Sequence, residues 1–164
     1  MRVKRRDLLL LAVAITGVLA PGPLRVQQLS GFDPVAIAKL RAGEIAREIT
    51  ASPRDASVPE PSWEATFNDG LLLQAGLRAL LPVTERQGVA LPGTPSPNDP
   101  PELIEAQENY KAVFESGAEA TAAQKEIALK AIEGAAEQLA KTGYVSFSRQ
   151  VTEWLGAQRH SLSK

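Results

Sequence analysis

Half of the 12 prolines in this 164-residue chain lie between positions 82 and 101, at Pro82, Pro92, Pro95, Pro97, Pro100 and Pro101, with Gly88 and Gly93 among them. Each proline removes a backbone donor and fixes φ, so neither a helix interior nor a central strand can run through this stretch. It reads either as a semi-rigid connection between two halves or as an extended strap laid along a partner. The chain is thereby divided into a first half over 21–81, a linker over 82–101, a second half over 102–158 and a short tail over 159–164.

Both halves carry helical periodicity. Asp33-Pro34 is an N-cap followed by proline at the first helical position, and Ala38, Ala42, Ile45 and Ile49 recur at helical spacing, which predicts one amphipathic helix of about five turns ending before Pro53. The polar stretch from Ser52 to Pro61 has loop chemistry. Ser62 then caps a helix with Trp63, Phe67 and Leu71 on one face, and Asn68-Asp69-Gly70 is a turn signal able to split it. Leucines from Leu71 to Leu81, Leu77 among them, form the expected core segment. In the second half, Leu103, Ala106, Tyr110, Val113 and Phe114 make one stripe. Thr121 and Gln124 make a capping box, and Ile127, Ala128, Ala131, Ile132, Ala135 and Leu139 follow, with Gly143 suited to the position after the helix end. Tyr144 to Ser148 alternates like a short strand, whereas Val151, Trp154 and Leu155 fit a further helical turn. The fold class is therefore all-α: a small bundle of four to five helices with a proline-rich central linker.

Small alanines over 118–140 let helices approach closely and bury little each, so Ile127, Leu129, Ile132 and Leu139 carry most of that helix's packing. No period of 20 to 50 residues is visible, which argues against a solenoid.

The first 20 residues read as an address. Arg2, Lys4, Arg5 and Arg6 precede an uncharged apolar run of 13 residues from Leu8 to Ala20, too short for a relaxed membrane span of about 20 residues and typical of an export signal. Residues 1–20 are expected to engage export machinery as a cleaved signal, or to stay as a short anchor through 8–20. Positive charge before the run keeps that end cytoplasmic, so the expected location of the rest is periplasmic or extracytoplasmic. Beyond residue 20 the chain carries 14 of its 18 basic and 18 of its 19 acidic groups, a formal −4. That mild acidity argues against nucleic acid and against anionic lipid surfaces. With no cysteine there is no disulfide framework and no thiolate metal site.

Arg5-Arg6-Asp7-Leu8-Leu9 resembles a twin-arginine signal, the residues that carry the match being Arg5, Arg6, Leu8 and Leu9. An ordinary secretory signal with a positive start is the alternative. Taken with the chain size and the Asp33-Pro34 helix onset, this start resembles the small subunits of membrane-bound flavin-dependent sugar and gluconate dehydrogenases. The resemblance implies a non-catalytic subunit that shares its signal with a larger catalytic partner, the flavin and haem residing on other subunits.

The residues themselves offer no catalytic constellation. His160 is the only histidine and stands four positions from the end, where partners able to position it are rare. Glu102, Glu105 and Glu108 follow i, i+3 spacing, which complements a helix N-terminus more readily than it builds a cation site. No nucleophile elbow, phosphate loop or zinc spacing is present. No cofactor or metal is expected, and the chain is read as no enzyme in its own right. Two functions follow. The first is an accessory or structural subunit that binds a larger protein or membrane complex. The second is a free-standing helical module taking an apolar ligand or peptide between its helices, lined by Trp63, Phe67, Leu71, Leu77 and Tyr110. Trp63, Phe67, Tyr110 and Trp154 are the aromatic residues expected to contact a partner or ligand.

The address is testable by fractionation. A tagged chain is expected to appear beyond the cytoplasmic membrane, and a stable cytosolic pool would refute the signal. Converting Arg5 and Arg6 to lysine traps a twin-arginine passenger inside and leaves a general secretory passenger exported.

Overall fold

A computed structural model describes residues 32–164; the expected signal, with Arg5, Arg6, Leu8 and Leu9, lies outside the described residues. The described chain is an all-helical bundle with no strand: α1 (Pro34–Ala38), α2 (Ala42–Ala51), α3 (Trp63–Ala79), α4 (Pro101–Ser116), α5 (Ala122–Lys141) and α6 (Val145–Leu162), plus one 3-10 turn at Val83–Glu85. Among the described residues no helix is long and apolar enough to cross a membrane.

Local signals place most boundaries. Asp33 Oδ1 accepts from the amides of Val35 and Ala36 at 3.1 Å each, capping α1. At the start of α5 the Gln124 amide donates to Thr121 Oγ1 at 3.2 Å and the Thr121 amide donates to Gln124 Oε1 at 2.9 Å, the reciprocal box the sequence predicts. At its end, Gly143 takes φ +93°. The Gly143 amide donates to Ala140 O and the Tyr144 amide to Leu139 O, closing a Schellman motif over the buried pair Leu139 and Tyr144. A side chain at Gly143 would also meet Asp55 O at 3.1 Å, because the loop after α2 is pinned there by an Asp55 amide to Gly143 O bond of 2.8 Å.

Two expectations need correction. The single helix predicted from Asp33 to Pro53 is two, broken at Lys39 to Arg41. Its apolar stripe survives the break, since Ala38, Ala42, Ile45 and Ile49 are all buried. The turn signal Asn68-Asp69-Gly70 does not split α3, which runs unbroken through it. Gly70 is there because α2 crosses closely: a Cβ would stand 3.2 Å from Ala42 O. Of the two readings open for Tyr144 to Ser148, strand or helix, the structure has the helical one: the stretch leads straight into α6, where Ser148 Oγ donates to Ala136 O at 2.7 Å and joins α6 to α5. The small all-α bundle expected from the sequence is present, with six helices among the described residues because α1 and α2 are separate.

α3 is the central element, packed against α1, α2, α4 and α5, while α6 packs on α5. The α3–α5 crossing is close at Gly76, where a Cβ would fall 2.6 Å from Ile132 Cγ1 and 2.8 Å from Ala128 O. Leu73, Leu77, Leu129, Ile132 and Leu139 fill this seam. Ile127, expected in the same core, is only half-buried and turns elsewhere.

One buried charge organises one side of the bundle. Arg78 Nε donates to Ala38 O at 2.8 Å and Nη2 to Leu40 O at 3.0 Å, with Gln74 Nε2 also reaching Leu40 O at 2.9 Å. These side chains satisfy carbonyls at the end of α1, where the helix would otherwise have continued. Arg78 Nη1 also approaches Ala90 O and Tyr110 Oη, each at 3.4 Å, and the Tyr110 hydroxyl donates to Ala90 O. Hence the proline-rich segment is fastened to its own bundle at Ala90. Near its start, Arg86 Nη1 donates to Ala118 O at 2.8 Å and the Val83 amide donates to Glu119 Oε1 at 2.9 Å.

Arg78→Met leaves the Ala38 and Leu40 carbonyls short of donors and is expected to cost about 3 kcal/mol. Arg78→Lys recovers only part of this, because an ammonium lacks the planar fork. Urea unfolding with an unchanged slope checks both values.

Candidate functional site

A cleft of about 550 Å³ opens between α3, α4 and α5. Its floor is apolar: Leu72 from α3, Leu103 and Ala106 from α4, and Ala131 from α5 are buried there, and Ile127 supplies its half-buried side chain. That position accounts for the residue missing from the core. Gly134 lies in the wall with its Cα hydrogen facing Leu72; an added Cβ would make an ordinary 3.7 Å contact with Leu72 Cδ2. The polar lining is Asn68 and Asp69 from α3, Glu102 and Glu105 from α4, and Lys130, Glu137 and Gln138 from α5.

Asp69 is the unusual member. On a helix, neighbouring residues point about 100° apart, so while Gly70 turns toward α2 its predecessor faces the cleft. Among the described residues its carboxylate has no hydrogen-bond or ion-pair partner. Burial pushes its pKa from 3.8 up to about 6. Glu102, Glu105 and Glu137 are exposed on the rim. No group of three or more metal-ligating side chains gathers among the described residues. Among the described residues no hydroxyl, thiol or imidazole lines this cleft either. The cleft combines an apolar floor, one half-buried unpaired carboxyl and a polar rim, a composition able to hold a small molecule.

The aromatic residues singled out from the sequence are not brought together. Trp63 is 52% exposed in the first turn of α3, and Phe67 is half-buried near Gly43. Tyr110 is 1% exposed, edge-on to Phe114 at 4.7 Å, and its pKa is raised by burial against the opposing effect of Arg78. Trp154 packs on Phe32 at 5.6 Å, where it borders a second, smaller groove of about 270 Å³ with Val35, Leu77, Leu80 and Leu162. Leu71 and Leu77 therefore do not share a lined space with Trp63 and Tyr110. His160 sits exposed in the last turn of α6 rather than in a frayed tail. Glu102 and Glu105 reach the cleft, whereas Glu108 does not.

Asp69 was legible only as part of a turn. The signal against that reading is its setting, since it lies between Phe67 and the leucine run, in a segment where caps and periodicity continue on both sides. No protein family model, no curated protein and no solved structure matches the chain.

Asp69 makes stability depend on pH. Its carboxyl binds a proton more tightly in the folded chain than in the unfolded chain, so stability falls as pH rises from 3.8 to about 6 and stays lowered above that. Asp69→Asn should remove this loss. The variant is expected to match the parent near pH 4 and to exceed it in stability at pH 8, as read by urea unfolding at both values.

Proposed function

We propose that this chain is a non-catalytic helical binding module, which holds a small elongated ligand with an apolar body and a polar end between α3, α4 and α5. The observation that carries this reading is the unpaired, half-buried carboxyl of Asp69 above an apolar floor. A purely structural carboxylate is paired or solvated, because burying an unpaired one costs stability. Cost retained in a cleft of ligand size points to a group that is completed on binding. The export signal read in residues 1–20 would put this work beyond the cytoplasmic membrane.

An accessory-subunit role is the second reading, and a different feature favours it. Leu162, 55% exposed, lines the groove beside Trp154, and Val83, 41% exposed, follows the groove residue Pro82 in the chain. An apolar surface of this kind suits contact with a larger protein or membrane complex.

The binding reading is tested by thermal unfolding of the full chain titrated with hexanol, hexylammonium and hexanoate. At least one is expected to raise the unfolding temperature in a saturable way, since a ligand that binds only the folded state stabilises it. Gly134→Leu fills the cleft from a helix position that tolerates a Cβ and should abolish the shift. Absence of any shift with all the probes would overturn the reading.

A further inference from the structure

We infer that the ligand of the α3–α4–α5 cleft is a primary alkylammonium, its cationic nitrogen held by Asp69 and its hydrocarbon body laid over Leu72, Leu103 and Ala106. This rests on the binding reading above and goes beyond it by assigning the chemistry of the ligand's polar end.

The charge of the lining selects the sign. Four carboxylates face the cleft, Asp69 from α3, Glu102 and Glu105 from α4 and Glu137 from α5, against a single ammonium, Lys130 of α5. Lys130 is exposed, and its charge also acts on Glu133, whose carboxyl it helps to hold below the usual range after Arg159 has done most of that work. An anion entering the cleft would meet three more negative charges than positive ones when all are ionised. A neutral polar end would leave the Asp69 carboxylate without a counter-charge. A cation would pair with the half-buried Asp69 carboxylate, for which no hydrogen bond or ion pair is made among the described residues, and charge-assisted hydrogen bonds are the stronger kind.

The absence of aromatic rings around the cleft narrows the class further. Quaternary ammonium groups are recognised by the faces of aromatic side chains. Among the described residues none lines this cleft, in which the polar side-chain atoms are carboxylate oxygens, the amide oxygens and nitrogens of Asn68 and Gln138, and the Lys130 ammonium. A primary ammonium presents three N–H donors. Asp69 and the amide oxygen of its neighbour Asn68 are the acceptors nearest to hand in sequence, with Glu105 available across the cleft on α4. The body of the ligand is aliphatic because the floor is built from leucine and alanine, and the free volume is that of a small-molecule site rather than a protein interface.

Ionisation gives a second signature. The groups facing Asp69 are Glu102 and Glu105 from α4 and Lys130 and Glu137 from α5. An alkylammonium keeps its proton throughout the acid and neutral range, as a lysine side chain does. Binding should therefore strengthen as Asp69 ionises. With a carboxyl titrating at about 6, affinity rises about tenfold between pH 5 and pH 7 and releases a proton at the lower end.

The test is calorimetry on the full chain with hexylammonium, trimethylhexylammonium, hexanol and hexanoate. Hexylammonium is expected to bind about tenfold or more tightly than hexanol, the increment of one charge-assisted hydrogen bond. The trimethyl compound and hexanoate should be weaker than hexylammonium. Asp69→Asn should erase both the preference for the primary cation and the pH dependence while leaving hexanol binding in place. Glu133→Gln, outside the cleft, should leave the preference intact. Equal affinity for hexanol and hexylammonium, tighter hexanoate, or a cation preference that survives Asp69→Asn overturns the inference while the cleft remains a binding site. Failure of every probe, with no effect of Gly134→Leu, overturns the binding reading and this inference together.

Discussion

Arg78 is a buried cation with no carboxylate partner among the described residues; its charge is met by main-chain oxygens instead. Nε and Nη2 are taken by Ala38 O and Leu40 O, and Nη1 approaches Ala90 O and the Tyr110 hydroxyl. The guanidinium also stands over the Tyr110 ring at 5.8 Å. Carbonyls at a helix end carry partial negative charge, so the end of α1 offers a cation what a carboxylate would. This arrangement stops α1, turns the chain into α2 and fastens the proline-rich segment over α4. Without it, the corner of α1 and α2 and the path of residues 82–100 would lack their common anchor.

With that corner set, α2 crosses α3 at Gly70, and on its other side α3 meets α5 at Gly76. At Gly76 a side chain would collide, with a Cβ 2.6 Å from Ile132 Cγ1, whereas at Gly70 a Cβ would be a tight 3.2 Å from Ala42 O. The consequences on the two sides differ. Against α5 the close approach seals a seam of Leu73, Leu77, Ile132 and Leu139. Where α4 joins the α3–α5 pair the fit is looser, and the space between the three helices is the cleft. Arg159 and Glu133, joined by hydrogen bonds of 3.0 and 2.8 Å, brace α6 against the outer side of α5. Surface pairs of this kind contribute little stability, so this pair locates α6 more than it stabilises the bundle.

The cleft joins two properties that seldom coincide in a purely structural space: apolar walls and a carboxyl left without a partner. Its other carboxylates are rim groups in contact with solvent and carry no such cost. The candidate chemistry therefore rests on a single residue, and its meaning depends on the helices around it. In isolation, Asp69 is an ordinary polar residue of a helix. Between Leu72, Leu103 and Ala131 it becomes a group that gains from a counter-charge.

By itself the sequence determined the all-helical class, the capped starts at Asp33, Ser62 and Thr121, and the glycine that ends α5. The proline-rich linker read over 82–101 holds no α-helix before Pro101, although a 3-10 turn forms within it at Val83–Glu85 and α4 begins on its last residue. These features act over a few residues, between a side chain and amides within one turn, so a linear pattern contains them. Tertiary structure decided the rest. The break after Ala38 depends on Arg78, 40 residues away, and no local pattern shows a carbonyl captured from that distance. Asn68-Asp69-Gly70 has the composition of a turn and the structure of a helix, because the packing of α2 against Gly70 outweighs a weak local preference. Trp63, Phe67 and Leu71 share a helical face on paper, yet Trp63 lies beyond the helices that would cover it. The cleft was not legible for the same reason: it is space between three helices, and only their crossing decides what lines it.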